Sequence, residues 1–188
     1  MTDRQPNLLL LFADLLAYPG DRLKITAAEC FRHLKEFAPK AATDFEPFID
    51  FLKQQQQPQI EEAYTATFDL QALCHPYVGY QLCGESQART MFLMKLQEIY
   101  KKQNFSCDAE LPDHLSVMLR FIASNDDTQG NSEIISDALL PALQKIIDGF
   151  EREDQPYRQL LHALQTWLMT QVKTELPETK SQKGAVHG

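Results

Sequence analysis

The chain has 188 residues, of which 44% are apolar, and its formal net charge is −8; these properties suit one globular domain rather than a disordered chain. Phosphate binding needs a basic face, so the acidic balance argues against nucleic acid as a partner. No stretch approaches the ~20 apolar residues of a membrane span, and no signal-peptide pattern is present, so we expect a cytoplasmic protein without stable membrane insertion.

Apolar residues in the first forty positions recur with the spacing of amphipathic helices, and the alternation typical of strands is missing. Leu8 to Leu15 fit a first helix that Pro19-Gly20 should end. Asp21 then offers a cap for a second helix, and Pro39 lies just beyond the end of its apolar stripe. Two helices are therefore predicted before residue 40.

The next segment contains a recognisable helix start. Thr43 and Glu46 have the spacing of a capping box, which predicts that a third helix opens there. Residues 59–68 fit a short fourth helix. Residues 70–83 are interrupted by proline and glycine and fit only short helical turns.

The second half of the chain continues the helical pattern. The apolar spacing over residues 88–100 predicts a helix, and a loop is predicted over residues 103–111. Pro112 suits the first turn of the next helix because proline lacks the N–H that would be unsatisfied there. The polar run from Ser124 to Asn131 predicts a loop.

Two further helices complete the predicted domain. Apolar residues from Ile135 to Phe150 step by 4, 4, 3 and 4, and Pro156 should start the last helix. The fold class predicted is all-α, a single helical-bundle domain of about seven to nine helices over residues 5–173. Residues 174–188 lack an apolar stripe and are predicted to form a disordered tail.

The acidic residues are concentrated in one stretch. Residues 104–154 hold eleven acidic and three basic residues, so the entire net charge falls there. One interpretation is a solubilising face. The other is attraction of a basic peptide or partner.

Motifs of catalysis and metal binding are missing from the sequence. It contains no phosphate-binding glycine loop, no metalloprotease motif and no nucleophile elbow. Cys30, Cys74, Cys83 and Cys107 do not have zinc-site spacing. We therefore expect no enzyme activity, no metal and no cofactor. An all-helical adaptor and a weak nucleotide-binding enzyme remain as alternatives.

Two groups of residues stand out as candidate sites. Tyr64 and Phe68 lie four apart on one helix face, with Asp69 following; core packing and a binding role both fit this pattern. Asp113 and His114 follow Pro112 and are predicted in the first turn of a helix. They fit either a capping acid with a hydrogen-bonding histidine or an anchor for a partner's backbone or arginine. The helix dipole there should keep the imidazole neutral.

Together these residues resemble the delta-subunit chaperones of respiratory nitrate reductase, whose relatives mature dimethyl sulfoxide and trimethylamine N-oxide reductases. The resemblance covers roughly residues 8–170 in order and general spacing. Thr90 and Ser116 stand where this family often has Gly and Pro, which leaves the subfamily open. The matching segments are Leu10–Pro19, Tyr64–Asp69, Gly84–Ser86 with Arg89, Leu96–Tyr100, Glu110–Leu115 and Leu119–Phe121.

The resemblance implies a chaperone that binds the N-terminal leader of a molybdopterin oxidoreductase catalytic subunit until the molybdenum cofactor is inserted. For exported clients this segment is a twin-arginine leader, basic and then apolar. The implied state is a monomer, with a helix-swapped dimer as the alternative. The implied peptide-binding residues are Tyr64, Phe68 and Asp69 in a groove, Gly84 and Glu85 at the turn beside it, and Asp113 and His114 as a polar anchor.

Overall fold

A computed structural model describes residues 7–107 and 110–175. Within these ranges the regular secondary structure is helical, apart from one isolated β-bridge between Tyr77 and His114. The all-α prediction is confirmed. The helices are α1 Leu8–Leu15, α2 Leu23–Phe37, α3 Pro39–Gln54, α4 Gln57–Phe68, α5 Val78–Cys83, α6 Gln87–Lys102, α7 Leu115–Ser124, α8 Thr128–Ile134, α9 Leu140–Asp148 and α10 Pro156–Glu175.

A π-helical turn, Ile135–Leu139, joins α8 to α9 without a break. The described ranges therefore hold nine separate helices, within the predicted number. Pro141 follows the turn and has no N–H to donate to the carbonyl of Asp137 four residues earlier. A π-turn accommodates one extra residue. The sequence predicts one apolar stripe with steps of four in this segment. Its members Ile135, Leu139 and Leu143 are all buried.

Two predicted helix starts in the first half of the chain are wrong. The residue before α2 is Arg22, which makes no side-chain cap, and Asp21 does not serve as one. Helix α3 already begins at Pro39, so Thr43 lies inside it and donates its hydroxyl to the Pro39 carbonyl at 3.2 Å. Pro39 suits the first turn because its missing N–H has no intrahelical partner there.

Two predictions in the second half are also wrong. Helix α7 begins at Leu115, not near Pro112. The predicted polar loop is shorter, because Asp127 caps α8 by accepting the Gly130 N–H at 3.0 Å. Pro156 starts the last helix as predicted. Of the predicted tail, residues 176–188 lie outside the described residues, and the domain boundary stays a prediction.

The core lies between α1, α2, α3, α7, α9 and α10, with α3 packed along α10. Aromatic rings fill it: Phe12 stacks on Trp167 at 5.8 Å between centroids, and Phe48 meets Tyr157 at 5.4 Å. Helix α6 is more peripheral, with only Leu96 and Tyr100 fully buried. In the described part of the chain, no helix is both long enough and apolar enough to cross a bilayer.

Candidate functional site

Tyr64 and Phe68 belong to the aromatic core. Their exposed fractions are 6% and 2%. The Tyr64 hydroxyl donates to the Leu16 carbonyl at 3.1 Å, and the Tyr157 ring lies 5.6 Å from Tyr64 and 5.2 Å from Phe68. Only Asp69, which ends α4, is exposed. For Tyr64 or Phe68 to line a groove, this cluster would have to open.

Gly84 and Glu85 form the turn between α5 and α6. Gly84 has a φ of 63°, in the left-handed region that favours glycine, and its N–H donates to the Tyr80 carbonyl at 2.7 Å. Glu85 is exposed. Ser86 then caps α6 by accepting the Arg89 N–H at 3.4 Å. The turn thus determines where the first turn of α6, including Arg89, lies.

Asp113 is fully buried and faces α5 and α6. Its Oδ2 lies 3.4 Å from Arg89 Nε, whereas its Oδ1 is buried without a hydrogen-bond partner. The Val78 N–H donates to the Asp113 carbonyl at 2.8 Å. A Cβ on Gly79 would lie 2.9 Å from Oδ2, so glycine is needed there for the carboxylate to approach α5.

The Arg89 guanidinium lies between two tyrosine rings. Its carbon is 5.8 Å from the Tyr77 centroid and 5.6 Å from the Tyr80 centroid, within cation–π range. We call Arg89, Asp113, Gly79, Tyr77 and Tyr80 the arginine cluster. Sequence reasoning did not include Gly79, Tyr77 or Tyr80 in the site. Tyr77 and Tyr80 lie three apart at the start of α5, a spacing that puts both on one side of a helix but does not indicate a partner.

His114 is the N-cap of α7 and does not lie in its first turn. Its Nδ1 accepts the Ser116 N–H at 3.2 Å, and its ring meets Tyr77 edge-on at 5.2 Å. Burial lowers the pKa of His114, outweighing the opposite effect of Glu110 and Asp113. The imidazole is therefore neutral near pH 7, as predicted, although burial rather than the helix dipole is the main cause.

A groove of about 440 Å³ runs between α6 on one side and α7, α8 and the π-turn on the other. Its lining is apolar where the helices approach one another and acidic along α8 and the π-turn. The three carboxylates belong to the acidic stretch, and the basic side chain in the lining comes from α6. The apolar residues are Phe92, Leu96, Ile99, Met118, Ile134 and Ala138, the acidic ones Asp127, Glu133 and Asp137, and the basic one Lys95.

The groove and the arginine cluster share one face of α6. Arg89, Phe92, Leu96 and Ile99 step by 3, 4 and 3, which places them along one side over about 15 Å. Phe92 connects the two regions, because it lines the groove and its ring would lie 2.8 Å from a Cβ on Gly79 of the arginine cluster. Among the residues that the structure describes, no His, Cys, Asp and Glu side chains are grouped to hold a metal ion.

The chain is similar to known proteins in sequence and in fold. Residues 34–163 match the nitrate reductase delta subunit family. The probable nitrate reductase molybdenum cofactor assembly chaperone NarJ of Bacillus subtilis (strain 168) is 27% identical over 165 residues, covering 87% of this chain and 88% of that protein. The crystal structure of a candidate redox enzyme maturation protein from Archaeoglobus fulgidus has the same fold, with a TM-score of 0.60 and 20% identity, covering 90% of this chain and 96% of that one.

Proposed function

Because the chain belongs to the nitrate reductase delta subunit family, we propose that it is an assembly chaperone for a molybdenum oxidoreductase. It binds the N-terminal segment of the apo catalytic subunit and keeps it until the molybdenum cofactor is inserted. The predicted family resemblance is confirmed. The name of the Bacillus subtilis relative supports a client that contains molybdenum. The protein acts in the cytoplasm by binding and catalyses no reaction.

The groove along α6 is the observation that carries this proposal. An amphipathic helix can bury its apolar face against Phe92, Leu96 and Ile99. The carboxylates in the same lining attract basic residues that flank such a helix. A leader that is basic and then apolar offers both features. The acidic stretch is thus given a binding role at the groove, in addition to a solubilising one.

The residues implied by the resemblance take different parts in this proposal. Asp113 and His114 form a polar anchor at the end of the α6 face where Arg89 lies. Gly84 and Glu85 fix the turn that precedes this face. Tyr64 and Phe68 support α4 from the core, so their proposed contact with the client depends on opening of the aromatic cluster. Asp69 is available at the surface.

The test is a titration with a synthetic peptide of the first ~40 residues of a molybdenum oxidoreductase catalytic subunit from the same genome, long enough for two helices. Glu133→Gln with Asp137→Asn removes two groove charges and should weaken binding by roughly three- to tenfold, mainly at low salt. Glu151→Gln with Glu153→Gln removes two charges from the same acidic stretch outside the groove lining and should change affinity little.

The apolar lining gives a second arm of this titration. Ile99→Ser changes a half-buried residue of the groove and should weaken binding by about tenfold, the cost of one well-placed apolar contact. Ile25→Ser is the matched control on α2, where the side chain is 63% exposed. If no such peptide binds at micromolar concentration, the proposal is wrong. Steady nucleotide turnover by the purified protein would instead support the enzyme alternative.

A further inference from the structure

The Asp113 carboxylate is paired less well than its burial requires. Its Oδ1 has no hydrogen-bond partner, and its Oδ2 meets Arg89 through Nε alone at 3.4 Å. Charge-assisted N–H···O bonds are usually about 2.7–2.9 Å long, and arginine pairs best with carboxylate as a two-pronged fork. The site therefore has unused capacity for a guanidinium, although it already holds one.

The surroundings of this carboxylate have the chemistry of an arginine-binding site. Tyr77 and Tyr80 present their rings to the guanidinium, as aromatic residues do in cation–π recognition. Glu110 adds a second carboxylate, since its Oε2 accepts the Tyr77 hydroxyl at 3.3 Å. Lysine is a poorer fit to such a site, because its ammonium can neither form a planar fork nor stack on a ring.

We propose that the arginine cluster is the binding site for an arginine side chain of the client segment, and that Arg89 occupies it in the free protein. The proposal rests on the proposed function and adds the residue type that is recognised. On binding, the client guanidinium pairs with both oxygens of Asp113, and Arg89 turns outward. Arg89 is already 18% exposed, so its displacement opens a path to the carboxylate from solvent.

The position of the cluster on α6 supports this exchange. A client helix that lies along Phe92, Leu96 and Ile99 extends directly toward Arg89, because all four residues share one face. The distance from Ile99 to Arg89 along α6 is about 15 Å, or ten residues of helix. One arginine roughly three turns from the residue that packs on Ile99, or two turns from the one that packs on Leu96, would therefore reach Asp113.

The first test uses the wild-type chaperone and the client peptide described above. Replacing each peptide arginine by lysine keeps the charge but removes the fork. At one peptide position this change should weaken binding by about tenfold or more. Equal affinity at every position would overturn the inference while leaving the proposed function intact, because the peptide would still bind.

The second test removes the resident side chain. Arg89→Gln should bind the arginine peptide about tenfold more tightly than wild type, since no internal side chain has to be displaced first. Its affinity should not increase for a peptide in which glutamine replaces the arginine identified by the first test. Lys102→Gln is the matched control, because it removes one positive charge from the exposed end of the same helix, outside the groove lining, and should change affinity little. Unchanged or weaker binding by Arg89→Gln would mark Arg89 as a structural residue only.

A third measurement needs no client peptide. Methylguanidinium at millimolar concentration should raise the melting temperature of Arg89→Ala, or restore its folding, by filling the space beside Asp113. It should not stabilise the wild-type protein, where Arg89 is present. If methylguanidinium has the same effect on both proteins, the site does not select a guanidinium and the inference fails. This outcome is independent of whether any client peptide binds.

Discussion

The aromatic core around α3 and α10 and the groove face of α6 differ in how completely their side chains are buried. In the core, Phe45, Phe48 and Tyr157 are enclosed and meet one another or their neighbours at ring distances of 5–6 Å. On the groove face of α6, Phe92 and Ile99 are only partly buried. The first region is arranged for stability, whereas the second leaves apolar and charged groups available to a partner. The two regions share some side chains, because Leu96 and Met118 line the groove and also belong to the buried core.

Unsatisfied polar atoms occur in both regions, but their consequences differ. In the core, the Tyr157 hydroxyl has no hydrogen-bond partner, and at the α6 face the same is true of Asp113 Oδ1. Burial of a neutral hydroxyl without a hydrogen bond costs about 1–3 kcal/mol, whereas burial of an unpaired carboxylate oxygen costs considerably more. Under the proposed function, the unpaired Asp113 carboxylate oxygen therefore favours binding of a partner more than the Tyr157 hydroxyl does.

The largest effect on stability should come from truncating one aromatic side chain of the core. Phe68→Ala removes a side chain that packs on Tyr64 and Tyr157 and should lower the free energy of unfolding by about 3–5 kcal/mol. Urea denaturation measures this loss, and a peptide titration of the folded variant should show nearly unchanged affinity. The opposite pattern, weaker binding at full stability, would place Phe68 on the binding surface and break the comparison.

A smaller effect should come from adding one methyl group at the arginine cluster. Gly79→Ala places a Cβ 2.9 Å from Asp113 Oδ2 and 2.8 Å from a Phe92 ring carbon, so it should cost about 1–3 kcal/mol through overpacking. Gly-to-Ala changes at unstrained positions usually stabilise slightly. Gly20→Ala is the control, because a Cβ there meets nothing within 4 Å. Thermal denaturation that shows equal shifts for both variants would contradict the close approach of Asp113.

The finest difference concerns the dependence of stability on pH. Burial lowers the pKa of His114 below its ordinary value of 6.5, so the folded state binds its proton less readily than the unfolded state. Stability from this group is complete above pH 6.5 and falls as the pH drops from there to the folded-state pKa. His114→Asn keeps a capping side chain but cannot titrate. Urea midpoints between pH 8 and pH 5 should fall less steeply for the variant; identical slopes would exclude His114 as the cause.

Much of the helical framework was predictable from the sequence. The apolar stripe from Ile135 to Phe150 and the proline at position 156 predicted helices where the structure has them. The errors were at starts such as Thr43, where a capping pattern competed with Pro39 four residues earlier. Both signals were local and valid, and the structure uses the start at Pro39, in a helix that packs against α10.

The sequence by itself determined the helical class, the family and the acidic stretch, because helical periodicity, residue order and charge are properties of the chain alone. Only the tertiary structure decided which faces are covered. Spacing placed Tyr64 and Phe68 on one side of α4 but could not show that Tyr157, almost ninety residues later, encloses them. It likewise could not pair Arg89 with Asp113 across 24 residues, since such contacts depend on how whole helices pack.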